Sequence, residues 1–259
     1  MKRFVPLASG SKGNSLFLGT ENTKILIDAG LSARELKKRL AAIDVDLNEI
    51  DAVVVTHEHT DHIRGLATLC SSRNIPIFAN SETASAIASI LDADLRFKIF
   101  SNGEAFEYGD LAFCPFSIQH DAIDPVGFAI HCGNVKIGVC ADLGFASSLV
   151  ASHLMGCDYL YVEANHQPEM VHACSRPPIY KQRVLGRQGH LSNAQCARLI
   201  ENVVHDGLKE IFLAHLSSEC NAPQVALNVV GEALAALGVD IPLHIAFQDA
   251  ISQPILVAP

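Results

Sequence analysis

The segment from Thr56 to His62, with the sequence THEHTDH, places four potential metal ligands within six residues. It follows the apolar run from Ile50 to Val55, whose length and β-branched residues predict a buried strand. From Ile63 to Ser72, apolar residues recur at helical spacing. The ligands are therefore expected on a strand-to-helix turn at the edge of a sheet, where a rigid scaffold can hold loop residues in a pocket.

The spacing of these ligands predicts two metal positions. His57 and His59 are two residues apart and can point the same way from an extended turn, whereas Asp61 and His62 fall where the chain begins to coil. Neutral imidazoles and carboxylates suit zinc, manganese or iron. We therefore expect two divalent ions, Zn²⁺ or Mn²⁺ with iron as an alternative, rather than a polar turn with solvated histidines.

Three more polar residues follow apolar runs that predict strands. His120 follows the predicted strand 111–118, Asp142 follows 135–140, and His215 follows 210–214. One such residue alone would more often be an ordinary surface or core residue. Together with the THEHTDH segment, the three predict that strand ends converge on one rim.

Predicted strands and helices alternate along the chain without a low-complexity linker. The 259 residues are 49% hydrophobic, which is enough for one large domain. We expect a single layered α/β domain over residues 1–259. Residues 167–189, rich in Pro, Arg and Gly, are expected to be irregular and to form an active-site flap. Helices are predicted at 33–42, 63–72, 82–91, 194–205 and 223–237, and the remaining strands at 4–8, 15–19, 24–28, 76–79, 127–131, 159–163 and 244–246.

The composition of the chain favours one cellular compartment. The eight cysteines form no CxxC pair, which favours reduced thiols over disulfides. No apolar run is long enough for a membrane span, and the N-terminus lacks a signal-peptide core. We therefore expect a cytoplasmic protein with no membrane partner. The net charge of −9 does not favour a broad basic face for nucleic acid. Nothing in the chain selects an oligomeric state, and a homodimer remains open.

These motifs resemble the metallo-β-lactamase superfamily, whose HxHxDH motif is matched from His57 to His62. The resemblance covers almost the entire chain and is closest to the YycJ/VicX (WalJ) group of phosphodiesterase-like proteins. The matching stretches are GSKGNS at 10–15, LIDAG at 26–30, THEHTDHIRG at 56–65, HDAIDPVGF at 120–128, ADLG at 141–144, EANH at 163–166, GHLSN at 189–193 and LAHLS at 213–217.

The resemblance implies a four-layered αββα sandwich with a dinuclear site at one edge of the sheets. It assigns one ion to His57, His59 and His120. It assigns the other ion to Asp61, His62 and His215, with Asp142 as the bridge. A bridging aspartate suits two ions about 3.5–4 Å apart that supply a metal-bound hydroxide for attack at phosphorus.

The resemblance also implies roles for residues beyond the ligands. His190 is expected to contact the scissile phosphate and to stabilise the transition state or protonate the leaving oxygen. Glu163 is expected to orient His190, and Asp61 counts among both the catalytic and the metal-binding residues. Six residues are expected to bind substrate, in part through a phosphate-binding loop at 11–14: Lys12, Asn14, Asn165, His166, Arg183 and Ser217.

The predicted function is a metal-dependent phosphodiesterase, specifically a 5′-to-3′ DNA exonuclease. A phosphodiesterase for small cyclic esters is the main alternative. A thioester hydrolase does not need His190, and a di-iron redox protein usually has glutamate in place of His59. A non-catalytic scaffold does not account for the complete ligand set.

Overall fold

The structure is a computed structural model that describes residues 2–257. Within that range the strands are β1 Lys2–Ala8, β2 Ser15–Gly19, β3 Lys24–Ile27, β4 Ala52–Val54, β5 Ile77–Asn80, β6 Phe97–Phe100, β7 Phe106–Tyr108, β8 Leu111–Ser117, β9 Val126–Cys132, β10 Val135–Cys140, β11 Tyr159–Glu163, β12 Glu210–Ala214, β13 Leu243–Ile245 and β14 Ile255–Val257. The helices are α1 Ala33–Ala41, α2 Thr60–Ile63, α3 Leu66–Cys70, α4 Ser81–Leu91, α5 Ser148–Leu154, α6 Pro168–Ala173, α7 Pro178–Leu185, α8 Asn193–Val203 and α9 Pro223–Ala236.

The strands form two sheets of seven. One sheet has the order β14-β1-β2-β3-β4-β5-β6, and the other has the order β13-β12-β11-β10-β9-β8-β7. In the first sheet, β3 to β6 run parallel. In the second, β10 to β13 run parallel. Each parallel set therefore brings several carboxyl-terminal strand ends to one edge of its sheet.

The two sheets pack face to face with helices outside. Phe4, Phe128 and Phe212 meet in a core between the sheets. A second core lies under α5, α8 and α9, and a third lies under α1, α3 and α4. Strand residues alternate between cores: in β1, Phe4 faces the other sheet while Val5 faces the helices. The predicted αββα sandwich is confirmed.

Strands buried on both faces read as nearly continuous apolar runs, which is why the central strands could be predicted. The short strands β6, β7 and β14 were not predicted; all three lie at sheet edges. The expected helix 63–72 is instead two short helices, α2 and α3, separated at Gly65. A Cβ at Gly65 would lie 2.4 Å from the Leu31 carbonyl oxygen, so only glycine allows this approach.

The expectation that residues 167–189 are irregular was wrong. This stretch contains α6 and α7, each of which begins with a proline at its first turn. Proline is favoured there because its missing N–H has no helical partner in any case. A small core of Val171, Val184 and Cys220 anchors the two helices to the loop after β12. The stretch is therefore a helical cap beside the sheet edge.

Within residues 2–257, no helix combines the length and the hydrophobicity that a membrane crossing requires. All eight cysteines have free thiols, as predicted from their spacing.

Candidate metal centre

The THEHTDH segment connects β4 to α2, as its sequence predicts. His57 lies three residues beyond the last residue of β4, and His59 is the N-terminal capping residue of α2. Asp61 and His62 lie within the single turn of α2. Because the backbone changes here from extended to helical, the side chains of His57 and His59 point in a different direction from those of Asp61 and His62.

The other ligands come from the second sheet. Asp142 lies two residues beyond β10 and His215 one residue beyond β12, while His120 follows β8. Asp142 and His215 have positive φ angles of 58° and 52°. A left-handed residue other than glycine costs about 1–3 kcal/mol and persists where the surrounding structure requires it. Both strained residues point into the same cluster.

Two groups of ligand atoms result. The ring nitrogens of His57, His59 and His120 lie within 4.8 Å of one another. The second group is Asp61, His62 and His215, in which Asp61 Oδ2 lies 3.7 Å from His62 Nε2 and 3.8 Å from His215 Nε2.

The Asp142 carboxylate lies between the two groups. One oxygen is 3.1 Å from His62 Nε2. The other is 3.2 Å from His215 Nδ1 and 4.0 Å from His120 Nε2. A carboxylate in this place can contact cations held by either group.

The donor atoms fit divalent ions. His57 Nε2, Asp142 Oδ2 and His215 Nε2 are buried, and none has a hydrogen-bond partner among the described residues. Buried polar atoms without partners are costly, and clusters of imidazole and carboxylate donors are typical of zinc, manganese and iron sites. The residues could therefore hold two ions.

The electrostatics of the cluster favour cations. Burial lowers the pKa of His57 well below its usual value, with a further contribution from His62, so this imidazole is neutral and able to bind a metal. At His215 burial also opposes the charged ring, but nearby carboxylates, above all Asp142, outweigh it and raise the pKa to about 10. Metal ions and protons compete for such a nitrogen.

His190 and Glu163 form a pair beside this cluster. His190 Nδ1 lies 2.7 Å from Glu163 Oε1 and 3.6 Å from Asp142 Oδ1. Glu163 is fully buried and also accepts hydrogen bonds from the backbone N–H groups of Leu143 and Leu191. Burial opposes its charge, but the nearby His190 and the side-chain hydrogen bonds from His190 and His215 outweigh it and lower the pKa of Glu163 to about 2. An ionised Glu163 therefore holds the His190 ring in place.

Asp28 also belongs to the site, although the sequence motifs alone did not predict a role for it. Its carboxylate lies 2.7 Å from His62 Nδ1 and accepts hydrogen bonds from the N–H and hydroxyl of Thr56. A carboxylate on one ring nitrogen fixes the tautomer that leaves the other nitrogen free for a metal. The signal in the sequence is the acidic residue Asp28 directly after the apolar strand β3.

A pocket of about 330 Å³ opens beside His190, and we call it the active-site pocket. Four of the six predicted substrate-binding residues line it: Lys12, Asn165, Arg183 and Ser217. Asn14 does not line the pocket, and its amide donates to Asp61 Oδ2 at 3.2 Å. His166 is also buried away from the pocket, and burial lowers its pKa to about 4.

The predicted phosphate-binding loop at 11–14 has few free donors. The N–H groups of Lys12, Gly13 and Asn14 donate to Gln248 Oε1, Gly10 O and Asp61 O respectively. The backbone therefore does not offer the cluster of N–H groups expected from the sequence. The Lys12 ammonium has no partner among residues 2–257 and remains available to an anion at the pocket rim.

The basic residues of the helical cap are already paired. Arg183 forms an ion pair with Asp121, the residue after His120. Arg176 forms a bidentate pair with Glu219, and Arg187 lies over the Phe145 ring at 4.2 Å from its centroid. These contacts attach the cap to the loops around the metal cluster.

Comparison with known proteins places the chain in a family. The profile of the Beta-lactamase superfamily domain matches residues 23–215. The chain is 35% identical over 238 residues to the protein named exodeoxyribonuclease YycJ of Bacillus anthracis, which covers 91% of this chain and 90% of that one. It is 33% identical over 247 residues to exodeoxyribonuclease WalJ of Streptococcus pneumoniae, with 92% and 91% covered.

Solved structures share the fold. The metallo-beta-lactamase fold protein YhfI from Bacillus subtilis superimposes with a TM-score of 0.73 at 15% identity, over 98% of this chain and 100% of that one. A diphosphatase of the PhnP family gives a TM-score of 0.69 at 16% identity, over 100% and 98%. The chain therefore belongs to the beta-lactamase superfamily and carries the metallo-β-lactamase fold.

Proposed function

We propose that this protein is a metal-dependent phosphodiester hydrolase that degrades DNA from 5′ ends. The observation that carries the proposal is the His190–Glu163 pair, which lies between Asp142 and an open pocket. The choice of DNA is supported by two relatives named exodeoxyribonucleases, each aligned over about nine tenths of both chains.

In this proposal two divalent ions, Zn²⁺ or Mn²⁺, occupy the cluster. His57, His59 and His120 would hold one, Asp61, His62 and His215 would hold the other, and the Asp142 carboxylate between the two groups would add negative charge that both ions require. When bound, such a pair lowers the pKa of water and neutralises charge that develops on the phosphate oxygens.

The protein's own residues then position the substrate and move a proton. Lys12 at the pocket rim attracts a phosphate through its unpaired ammonium. His190 is partly exposed to the pocket, and its Nδ1 is held by Glu163, which leaves Nε2 to face the phosphodiester. Protonated at Nε2, His190 donates a hydrogen bond to the phosphate and then a proton to the leaving oxygen.

A cytoplasmic setting suits this proposal because the cysteines have free thiols. The competing function is hydrolysis of a small cyclic phosphodiester. The same metal cluster and His190 would serve that reaction, so the substrates must be compared directly.

The test is turnover by purified protein loaded separately with Mn²⁺ and Zn²⁺. The substrates are 5′-phosphorylated duplex DNA labelled at its 3′ end and, in parallel, a bis-aryl phosphodiester, with His190→Ala as the control variant. Stepwise shortening from the 5′ end that is lost in the variant supports the proposal. Intact DNA beside rapid cleavage of the small ester would instead identify a small-molecule phosphodiesterase.

A further inference from the structure

A second cavity of about 390 Å³ adjoins the active-site pocket. Ser217 and Ser218 line both, so the two spaces lie on either side of this short loop segment. We call the second space the Phe247 cavity, after the aromatic residue in its wall. A substrate chain that leaves the active-site pocket across Ser217 and Ser218 enters this cavity.

The two spaces differ in charge. The active-site pocket is lined by Lys12, Arg176, Arg183 and the acidic Glu219. Because Arg176 and Arg183 are paired with Glu219 and Asp121, the Lys12 ammonium supplies the net positive charge of this space. Among the described residues that line the Phe247 cavity, Asp249 alone carries a charge, and most of the wall is apolar. A phosphate is attracted to the first space and repelled from the second. The Phe247 cavity therefore suits a neutral, largely apolar group.

Phe247 is the feature that selects the kind of neutral group. Its side chain is 46% exposed, and among residues 2–257 its ring stacks on no other aromatic or cationic side chain. Its backbone is fixed at both polar atoms: the N–H donates to Ser252 Oγ at 3.0 Å, and the carbonyl accepts from Ser9 N at 3.0 Å. The exposed ring therefore stands on a rigid loop and can stack on a flat partner without ordering that loop first.

Hydrogen bonds connect this loop to the catalytic residues. The Gln248 side chain accepts from the Lys12 N–H at 2.7 Å and donates to Gly13 O at 2.9 Å. Ser9, which lines the cavity, accepts from the His215 N–H at 2.8 Å. These hydrogen bonds therefore fix the position of the cavity wall relative to Lys12 and to His215 of the metal cluster.

We propose that the Phe247 cavity is a stacking subsite for a nucleobase of the DNA strand whose phosphodiester lies in the active-site pocket. The inference rests on the proposed function and extends it, because alternating charged and apolar spaces match the alternation of phosphate and base along a strand. Stacking of a base on an aromatic side chain tolerates any sequence, since every base has a π face. The subsite would bind a strand without reading it.

Fluorescence of 2-aminopurine gives a direct test. Single-stranded oligonucleotides that carry 2-aminopurine at successive positions from the 5′ end are mixed with Zn²⁺-loaded His190→Ala protein, in which turnover is slow, and the substitutions of this fluorescence test are made in that background. Stacking on Phe247 predicts strong quenching at one position near the 5′ end, lost in Phe247→Ala and kept in Phe247→Tyr. Leu237→Ala, which removes another half-exposed apolar side chain at the end of α9, is the matched control and keeps the quenching. Quenching that is absent, or that survives in Phe247→Ala, would overturn the subsite.

Steady-state kinetics separate this subsite from a structural role of the loop. Loss of one stacked base predicts a KM for the oligonucleotide about 5-fold to about 150-fold higher in Phe247→Ala. The kcat and KM for a bis-aryl phosphodiester stay unchanged, because that substrate is too short to reach Phe247. Equal damage to both substrates would mean a loop distortion and would contradict the subsite. DNA turnover by the unaltered protein with the same KM in Phe247→Ala refutes the subsite alone, whereas no DNA turnover at all refutes the proposed function with it.

Discussion

Replacing Asp28 by asparagine tests how the protein orients His62. The buried Asp28 carboxylate accepts three contacts: Thr56 N–H at 2.9 Å, Thr56 Oγ1 at 2.8 Å and His62 Nδ1 at 2.7 Å. In Asp28→Asn, the amide oxygen can keep the Thr56 N–H. The NH₂ group then faces His62 Nδ1 and donates to it, which stabilises the tautomer with hydrogen on Nε2.

That tautomer cannot bind a metal through Nε2, although the shape of the site is unchanged. Removal of such an orienting partner costs 10- to 100-fold in metal affinity, which is about 1.4–2.8 kcal/mol. We expect a loss of this size for one ion of the pair, and a smaller loss for the ion assigned to His57, His59 and His120, because Asp28 contacts none of those rings in the structure.

The assay is competition for Zn²⁺ against a chromophoric chelator, with far-UV circular dichroism to verify folding. Asp158→Asn is the matched control, because Asp158 also accepts a hydrogen bond from a backbone N–H, that of Lys136 at 2.9 Å. Asp158 lies just before the first residue of β11, whereas the metal cluster lies beside Glu163 at the other end of that strand. Unchanged affinity for both ions in a folded Asp28→Asn would refute the orienting role.

Three further predictions follow from the site. His190→Ala should lower kcat on DNA by about 100- to 10,000-fold with two ions still bound per chain, as measured by kinetics and elemental analysis; loss of metal instead would assign it to the metal cluster. A double-mutant cycle on Arg183→Ala and Asp121→Ala should give a coupling free energy of unfolding below about 1 kcal/mol, because the Arg183 side chain is mostly exposed; a much larger value in urea melts would contradict that. Chelation should lower the Tm, and Zn²⁺ at 100 times its Kd should restore about 2.7 kcal/mol of unfolding free energy for each bound ion; an unchanged Tm would mean that the buried donors do not hold metal.

The residues that form the candidate metal cluster could be predicted from the sequence because most of them are polar residues placed next to apolar strands. Asp142 and His215 each follow a strand that is buried on both faces, and His120 follows the mostly apolar strand β8, which is buried on one face and partly buried on the other. Each apolar run therefore predicts a strand, and the polar residue after it marks where the strand ends. The ends of β10 and β12 converge because β10, β11 and β12 pair in parallel, and the end of β8 joins them because β8 and β10 both pair antiparallel with β9. Local patterns do not contain these pairings.

The surroundings of the cluster could not be predicted because they depend on pairings distant in sequence. The Asp28–His62 contact spans 34 residues, and nothing local distinguishes Asp28 from a turn aspartate. The Arg183–Asp121 pair spans 62 residues. It attaches the Arg183 side chain, which the sequence predicts to bind substrate, to the loop around the metal cluster. A role for Phe247 could not be predicted from the sequence, because the exposure of a single aromatic side chain depends on how its loop folds.

The most direct test of the account is the dependence of DNA turnover on bound metal. Metal-free protein is titrated with Mn²⁺ while turnover and bound metal per chain are measured together, and His59→Ala is titrated in parallel. If the centre is dinuclear, turnover requires occupancy close to two ions per chain, and His59→Ala remains folded, binds fewer ions and is inactive. Full turnover in excess chelator, or in a His59→Ala protein with one ion, would contradict the dinuclear centre.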